Sequence, residues 1–67
     1  MREKDVGKAV KARRKALDMT QTEASRRAKM QQGSWSAIET GQNDRLTLIT
    51  LRRIAKALRC SVGDLVD

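Results

Sequence analysis

The sequence contains no histidine and no proline, one cysteine, and a single aromatic residue, Trp35. The lone thiol, Cys60, cannot form a disulfide within the chain. Without histidine, nearly every zinc arrangement and the usual nucleophile and general-base pairs are also excluded. Paired carboxylates remain possible, but the eight acidic residues are scattered along the chain. We therefore expect no enzyme activity, no metal, no other cofactor and no small-molecule ligand.

Long hydrophobic runs are also absent, and the first residues lack the pattern of a signal peptide, so we expect none. No segment has the roughly 20 apolar residues that a membrane-spanning helix needs. A single free thiol is typical of a reducing compartment. These features predict a cytoplasmic protein without a membrane partner. A chain of 67 residues is long enough for one domain, which we expect to cover residues 1–67.

Acidic residues are few relative to basic ones, above all in the N-terminal half. The chain carries 15 basic and 8 acidic side chains, a net charge of +7. Residues 1–30 hold ten basic and four acidic side chains, whereas residues 31–67 hold five and four. A basic half-domain favours a polyanionic partner, with nucleic acid first and an anionic membrane surface second. Composition leaves simple solubility as an equal alternative, so the spacing of residues has to decide.

Hydrophobic spacing and capping patterns predict five short helices and no strand. Thr20 with Glu23, and Ser61 with Asp64, form capping-box patterns at helix starts. Gly41 is expected to end the third helix. The predicted helices cover residues 4–17, 21–28, 32–40 and 48–58, and a short fifth helix follows residue 61. The residues of the fourth helix that we expect to face the core are Leu48, Leu51, Ile54, Ala55 and Leu58.

The second and third predicted helices are joined by a short turn, which is the plan of a helix-turn-helix. Around them, a series of residues occurs in a specific order and spacing: Arg14, Thr20, Gln21, Ala24, Met30, Trp35, Ile38, Glu39, Gly41, the run L-x-x-I-A-x-A-L at 51–58, and S-x-x-D-L at 61–65. With these residues the chain resembles the Cro/XRE family of repressor-like DNA-binding domains over almost its whole length. The resemblance implies an all-α, compact five-helix repressor-like domain, with the helix-turn-helix in helices 2 and 3.

Two positions depart from the family pattern. Ser25 replaces the small apolar residue that is usual in the middle of the second helix, and Lys29 replaces the usual glycine of the turn. Lys29 would be strained if the turn keeps a positive φ. The loop after Gly41 is one residue longer than usual and lacks the common proline. These departures affect the geometry of the turn and the loop rather than the fold.

The resemblance implies structural roles for three residues. It places Trp35 in the core between helices, where small neighbours leave room for the ring, and the alternative is a stacking or intercalating role on DNA. It also implies a partly buried structural ion pair between Arg14 and Glu39 that ties the first helix to the third. A guanidinium suits such a bidentate contact better than an ammonium group.

In a helix-turn-helix, the exposed face of the second of the two helices enters the major groove and contacts base edges. On that face, the predicted DNA-base contacts are Gln32, Gly33, Ser36 and Ala37. Gln32 is the strongest candidate, because its amide can pair with N6 and N7 of adenine. Gly33 and Ala37 would allow close approach to the bases. The alternative is that these are ordinary small residues of a helix surface.

Phosphate contacts are predicted on both sides of the recognition helix. Gln21 begins the second helix, where a phosphate can be held, and the resemblance implies the same role and adds a bracing contact to Gln32. Thr40, Asn43 and Arg45, around the following loop, are further phosphate candidates, with a solvated charge as the alternative for Arg45. A wider basic field comes from Lys8, Lys11, Arg13, Lys15, Arg26, Arg27 and Lys29.

These features together predict a sequence-specific regulator of transcription that binds double-stranded DNA, with repression through promoter occlusion as the expected mode. We expect a phage or mobile-element regulator acting in the bacterial cytoplasm or nucleoid. Because one helix reads few base pairs, we also expect a weak homodimer on a pseudo-palindromic site, formed through the apolar residues Leu46 and Ile49. Alternatives are an antitoxin with the same fold and a protein-binding adaptor without DNA specificity.

Overall fold

A computed structural model describes residues 3–42 and 46–66. Within these ranges the chain forms five α-helices and no strand, so the predicted all-α class is confirmed. The helices are α1 Glu3–Ala16, α2 Gln21–Arg27, α3 Gln32–Glu39, α4 Leu48–Ala57 and α5 Val62–Val66. The predicted phosphate contacts Asn43 and Arg45 lie outside the described residues.

Side chains cap three of the helix starts. Two are the caps at Thr20 and Ser61 predicted above, and at the third Thr47 Oγ1 accepts from the backbone N–H of Thr50 at 3.2 Å. Thr20 Oγ1 accepts a hydrogen bond from the backbone N–H of Glu23 at 3.1 Å. Ser61 and Asp64 form a full capping box, because the Asp64 carboxylate accepts from the Ser61 N–H at 3.0 Å and the Asp64 N–H donates to Ser61 Oγ at 3.2 Å. The carboxylate of Glu23 instead lies 3.7 Å from the guanidinium of Arg27, one turn further along α2.

Four turns after helices use a residue with positive φ. Gly41 has φ 77°, and the three non-glycine residues Asp18, Lys29 and Arg59 have φ of 58°, 58° and 55°. A left-handed residue after the last helical turn lets the chain leave the helix while its N–H still satisfies an earlier carbonyl. Lys29 therefore does adopt the conformation that glycine adopts at less cost.

The core is formed by side chains from all five helices and the α1–α2 connection, centred on Trp35, which has no exposed surface. The placement of Trp35 in the core is confirmed. The buried apolar residues are Val6, Val10, Met19, Ala24, Ala28, Trp35, Ile38, Ile54, Ala55, Ala57, Leu58 and Leu65. The neighbours of α3 in this core are α1 and α2, whereas α4 packs against α2 and α5.

The prediction that Leu48 faces the core is wrong. Leu48 is 55% exposed, and Ile49 is 66% exposed. Exposure falls along α4, from these two residues through the half-buried Leu51 to the buried Ile54. The first turn of α4 therefore extends beyond the core, although its hydrophobic spacing continues the inward stripe.

Gly7 marks the closest approach between α1 and α3. A Cβ atom at this buried position would overlap the carbonyl oxygen of Ile38 and lie 2.9 Å from that of Glu39. Only glycine allows the two helix backbones to come this close. The approach fixes α1 against the C-terminal end of α3. Among the described residues, no helix has the length and apolar character needed to cross a membrane.

Candidate nucleic-acid interface

The exposed face of α3 carries the four residues predicted to contact bases. Gln32 and Gly33 are exposed, while Ser36 and Ala37 are partly exposed. The opposite face is buried and consists of Trp35, Ile38 and Glu39. Since an α-helix repeats every 3.6 residues, the four predicted residues share one surface. Ser34 is also exposed at the edge of this surface, and no sequence pattern predicted a role for it.

Gly33 has no structural role within the described fold. A Cβ atom at this position would meet no other atom within 4 Å. Its φ is not positive, so no backbone conformation requires glycine. Glycine inside a helix costs up to about 1 kcal/mol relative to alanine. The first turn of α3 therefore has a bare, open backbone surface that the fold does not explain.

Glu39 is a buried hub that joins three helices. Its carboxylate oxygens accept hydrogen bonds from Arg14 Nε at 2.6 Å and Nη2 at 3.1 Å, from Gln21 Nε2 at 3.0 Å, and from Trp35 Nε1 at 2.5 Å. The side chains of Arg14 and Glu39 are only 11% and 2% exposed. Arg14 also donates through Nη1 to the Met19 carbonyl at 2.8 Å. One ion pair thus links α1 to α3, and Gln21 adds α2.

The hub keeps Glu39 ionised. Burial alone would raise the pKa of this carboxyl, but the hydrogen bonds from Arg14, Gln21 and Trp35, with the charge of Arg14, outweigh burial. The pKa of Glu39 is therefore held below its ordinary value of 4.5. A carboxylate with every oxygen engaged holds α3 at a fixed angle to α1 and α2. The hub thereby sets the direction in which Gln32 and Gly33 point.

The side chain that contacts Gln32 is Thr22 rather than Gln21. The Thr22 hydroxyl donates to Gln32 Oε1 at 3.2 Å. Gln21 turns inward instead, because the buried carboxylate of Glu39 is a stronger acceptor than a neutral amide. The bracing contact implied by the resemblance is therefore made by a different residue. The only sequence signal for Thr22 is its place in the first turn of the second helix.

The predicted phosphate residues differ in how available their donors are. Gln21 uses an amide N–H on Glu39 and keeps a second one. Thr40 directs its hydroxyl at the carbonyls of Ser36 and Ala37, at 3.1 and 3.2 Å, so it must rotate before it can donate to a phosphate. The amide side chain of Gln21 is thus the readier donor of the two.

Apart from Arg14, the basic residues of α1 at positions 5–16 divide into one structural side chain and three exposed ones. Arg13 donates through Nε to the Leu58 carbonyl at 3.0 Å and through Nη2 to the Arg59 carbonyl at 3.2 Å. It therefore caps the C-terminal end of α4, which no local sequence pattern predicted. The exposed side chains are Lys8, Lys11 and Lys15.

Metal ligands do not cluster within residues 3–42 and 46–66. The thiol of Cys60 is partly buried, and this burial raises its pKa despite the nearby charge of Arg13. A thiol with a raised pKa is a poor nucleophile at neutral pH.

The architecture occurs in several solved structures. The restriction-modification controller protein C.AhdI from Aeromonas hydrophila superposes with a TM-score of 0.89 and 19% identity, covering 94% of each chain. SinR, a master regulator for biofilm formation solved in complex with DNA, gives 0.87 and 24% identity over 92% of this chain and 98% of SinR. Identities this low show a shared fold alone.

The same fold also forms part of an enzyme. Hydroxypropylphosphonic acid epoxidase from S. wedmorenis matches with a TM-score of 0.89 and 27% identity, over all of this chain but only 35% of the epoxidase.

No curated protein matches the sequence significantly. The model of a helix-turn-helix domain family matches residues 5–67. The chain therefore belongs to this helix-turn-helix domain family, and its fold is that of the Cro/XRE-like DNA-binding regulators.

Proposed function

We propose that the protein is a sequence-specific regulator of transcription that inserts the exposed face of α3 into the major groove of duplex DNA. The observation that carries the proposal is the open first turn of α3, where glycine at position 33 has no role in the fold. A bare backbone beside the exposed amide of Gln32 suits close approach to base edges. Ser36 and Ala37 continue the same face one turn later.

Thr22 supports Gln32 as the principal reader of sequence. Its hydrogen bond to Oε1 restricts the rotation of the Gln32 side chain before DNA binds. The amide nitrogen stays free to donate, and Oε1 keeps a second lone pair. Gln32 can therefore still form the bidentate contact with adenine. Gln21, Thr40, Asn43 and Arg45 remain proposed phosphate contacts beside this reader.

Substitution of Gln32 tests the role of the reader. In selections from a random duplex library, Gln32→Ala is expected to lose preference at one base position, at a cost of about 1–3 kcal/mol. Gln31→Ala is the matched control, because Gln31 is also exposed and its side chain makes no cap hydrogen bond. The control should keep the preferred sequence. An unchanged site and affinity for Gln32→Ala would remove the assigned reader.

Gly33→Ala tests the close approach separately from the fold. The added methyl group is expected to raise the free energy of unfolding by about 0.3–1 kcal/mol, since it occupies open space in a helix. Its binding to a selected DNA site should nevertheless weaken. A variant that gains both stability and DNA affinity would contradict the proposed docking face.

A basic DNA-binding domain should also show strong salt dependence. With +7 net charge, several phosphates should be neutralised, and the logarithm of the association constant should fall steeply and linearly with the logarithm of salt concentration. A flat dependence would argue for a protein-binding adaptor. The same proposal includes repression, a cytoplasmic or nucleoid location, a phage or mobile-element origin and the lack of enzyme activity.

The exposed residues Leu48 and Ile49 are the proposed contact for a weak homodimer on a pseudo-palindromic site. Leu46, expected to share this role, instead packs partly against the core. Two adjacent apolar residues, 55% and 66% exposed, form a patch that a monomer does not need. Half-sites about one DNA turn apart, roughly 34–36 Å, would then suit the pair.

The same patch favours one second candidate function, an antitoxin that binds a toxin protein as well as DNA. Sedimentation of the protein bound to a selected DNA site distinguishes the homodimer from the antitoxin. A 2:1 protein–DNA complex that Ile49→Gln converts to 1:1 supports the homodimer. A 1:1 complex with the unaltered chain would remove the homodimer and leave the patch for another protein.

A further inference from the structure

A basic groove lies between the C-terminal ends of α2 and α4, away from the face of α3 described above. Its volume is about 430 Å³, within the usual range of ligand-binding clefts. Two buried small residues, Ala28 and Ala57, line it. The remaining lining consists of five cationic residues, Arg27, Lys29, Arg53, Lys56 and Arg59. Among the residues that the structure describes, no acidic one lines this groove.

Two of the cations are held in a backbone conformation that costs free energy. Lys29 and Arg59 follow the last turns of α2 and α4 with φ of 58° and 55°. Both helices end in the same way: the N–H of Met30 donates to the Ser25 carbonyl, and that of Cys60 to the Ala55 carbonyl. Glycine is the usual residue at this position of the motif. The sequence instead has a cation at both places, on the same groove.

The charges in this groove are scarcely neutralised within the protein. Arg27 lies 3.7 Å from Glu23, in a pair whose side chains are 46% and 48% exposed. For the other four cations, the described part of the chain provides no ion pair. Five like charges around one concavity repel one another, and an anionic occupant would relieve that repulsion.

The groove is separate from the proposed DNA-reading face. Thr22 and Gln32 meet at the N-terminal end of α2, whereas Arg27 lies at its C-terminal end. A helix of seven residues spans about 10 Å. The groove is also concave, with the small, buried residues Ala28 and Ala57 in its lining. Such a surface accommodates the aliphatic stem and carboxylate of glutamate better than the convex phosphate ridge of a duplex.

From these features we propose that the basic groove binds an acidic segment of a partner protein, rich in glutamate and aspartate, and does so while α3 is free to bind DNA. The cations at positions 29 and 59, which follow the ends of α2 and α4, contact carboxylates of the segment. The proposal does not depend on the role of α3, because the groove and the DNA-reading face use different residues.

The test uses a fluorescein-labelled poly-glutamate peptide, with binding followed by anisotropy at low salt. Lys29→Gly with Arg59→Gly should keep or raise the urea midpoint of unfolding, because glycine relieves the positive φ. The same variant should lose about tenfold in peptide affinity, as expected for two charge contacts. Unchanged or higher stability shows that the weaker peptide binding of this variant does not come from a loss of fold.

Arg53 and Arg52 provide a matched pair that does not alter a helix end. Both are exposed on α4, and only Arg53 lines the groove. Arg53→Gln should weaken peptide binding about two- to fivefold, and Arg52→Gln should leave it nearly unchanged. Equal losses would show a diffuse charge effect and overturn the proposal. So would an undetectable affinity of the unaltered chain for the peptide.

Duplex DNA carrying a selected site is the second probe. Peptide binding to the preformed protein–DNA complex supports the proposal. Displacement of the peptide by DNA, together with a loss of DNA affinity in Arg53→Gln but not in Arg52→Gln, would make the groove part of the DNA surface and overturn it. Failure of the chain to bind any duplex would refute the proposed function of α3 but leave the peptide result standing.

Discussion

Replacement of Glu39 by glutamine is the sharpest perturbation that the structure offers. The substitution keeps the shape of the side chain but removes its charge and one of its two acceptor oxygens. Arg14, only 11% exposed, would be left facing an amide N–H group in place of a carboxylate oxygen. Trp35 and Gln21 would compete for the remaining oxygen.

The magnitude follows from the burial of the pair. Removing one partner of a buried ion pair costs about 3–5 kcal/mol. A domain of 67 residues has a total stability of roughly 3–10 kcal/mol. Glu39→Gln should therefore leave the protein marginally folded at room temperature. Urea unfolding followed by circular dichroism and by the fluorescence of Trp35, the sole aromatic residue, measures the loss.

A double-mutant cycle separates the ion pair from a general loss of packing. Arg14→Met with Glu39→Gln removes both charges, so the double variant should be more stable than Glu39→Gln alone. We expect a coupling free energy of at least about 2 kcal/mol. A cost below about 1 kcal/mol for Glu39→Gln, or a coupling near zero, would refute the view that this hub holds α1 and α3 together.

Three further predictions concern the pKa of Glu39, the close helix approach at Gly7 and the hydrogen bond of Trp35. The pKa of Glu39 is lowered in the folded protein, so the stabilising effect of its charge is complete above the ordinary value of 4.5. This effect is lost as the pH falls through the lower folded-state pKa. The urea midpoint of the unaltered chain should therefore fall across this acidic range, and that of Glu39→Gln should change less. Gly7→Ala should lower the free energy of unfolding by about 1–3 kcal/mol, because the added Cβ overlaps backbone carbonyls of α3. Gly63→Ala is the control in the same urea titration, and it should be neutral or stabilising because its Cβ would lie 3.6 Å from Ser61 Oγ. Trp35→Phe should cost about 1.5–3 kcal/mol by circular dichroism, because it removes the indole N–H donor from a buried carboxylate, and a cost close to zero would show that this bond adds little.

Local patterns in the sequence were enough to predict the helices and their order. The caps at Thr20 and Ser61 and the stop at Gly41 act through hydrogen bonds between residues a few positions apart. Their effect is therefore present in any short window of the chain. The burial of Trp35 was predicted through the resemblance to the Cro/XRE family, in which small neighbours leave room for the ring, and the structure confirms it.

Contacts between helices were decided by the tertiary structure. The sequence could not show that Gly7 touches the backbone of α3, that Arg13 caps α4, or that Thr22 rather than Gln21 meets Gln32. Each of these depends on the angle and distance at which two helices cross. The prediction that Leu48 faces the core was wrong for the same reason. Periodicity gives the direction of a side chain, but the neighbouring helices set where the core ends.

The charge pattern divides in the same way between sequence and structure. Composition alone determined that the protein is basic and that its N-terminal half carries most of the excess. Only the packing of α2 against α4 brought residues 27–29 and 53–59 to one groove. Coulomb interactions act through space, so charges distant in sequence form one surface only after the chain has folded.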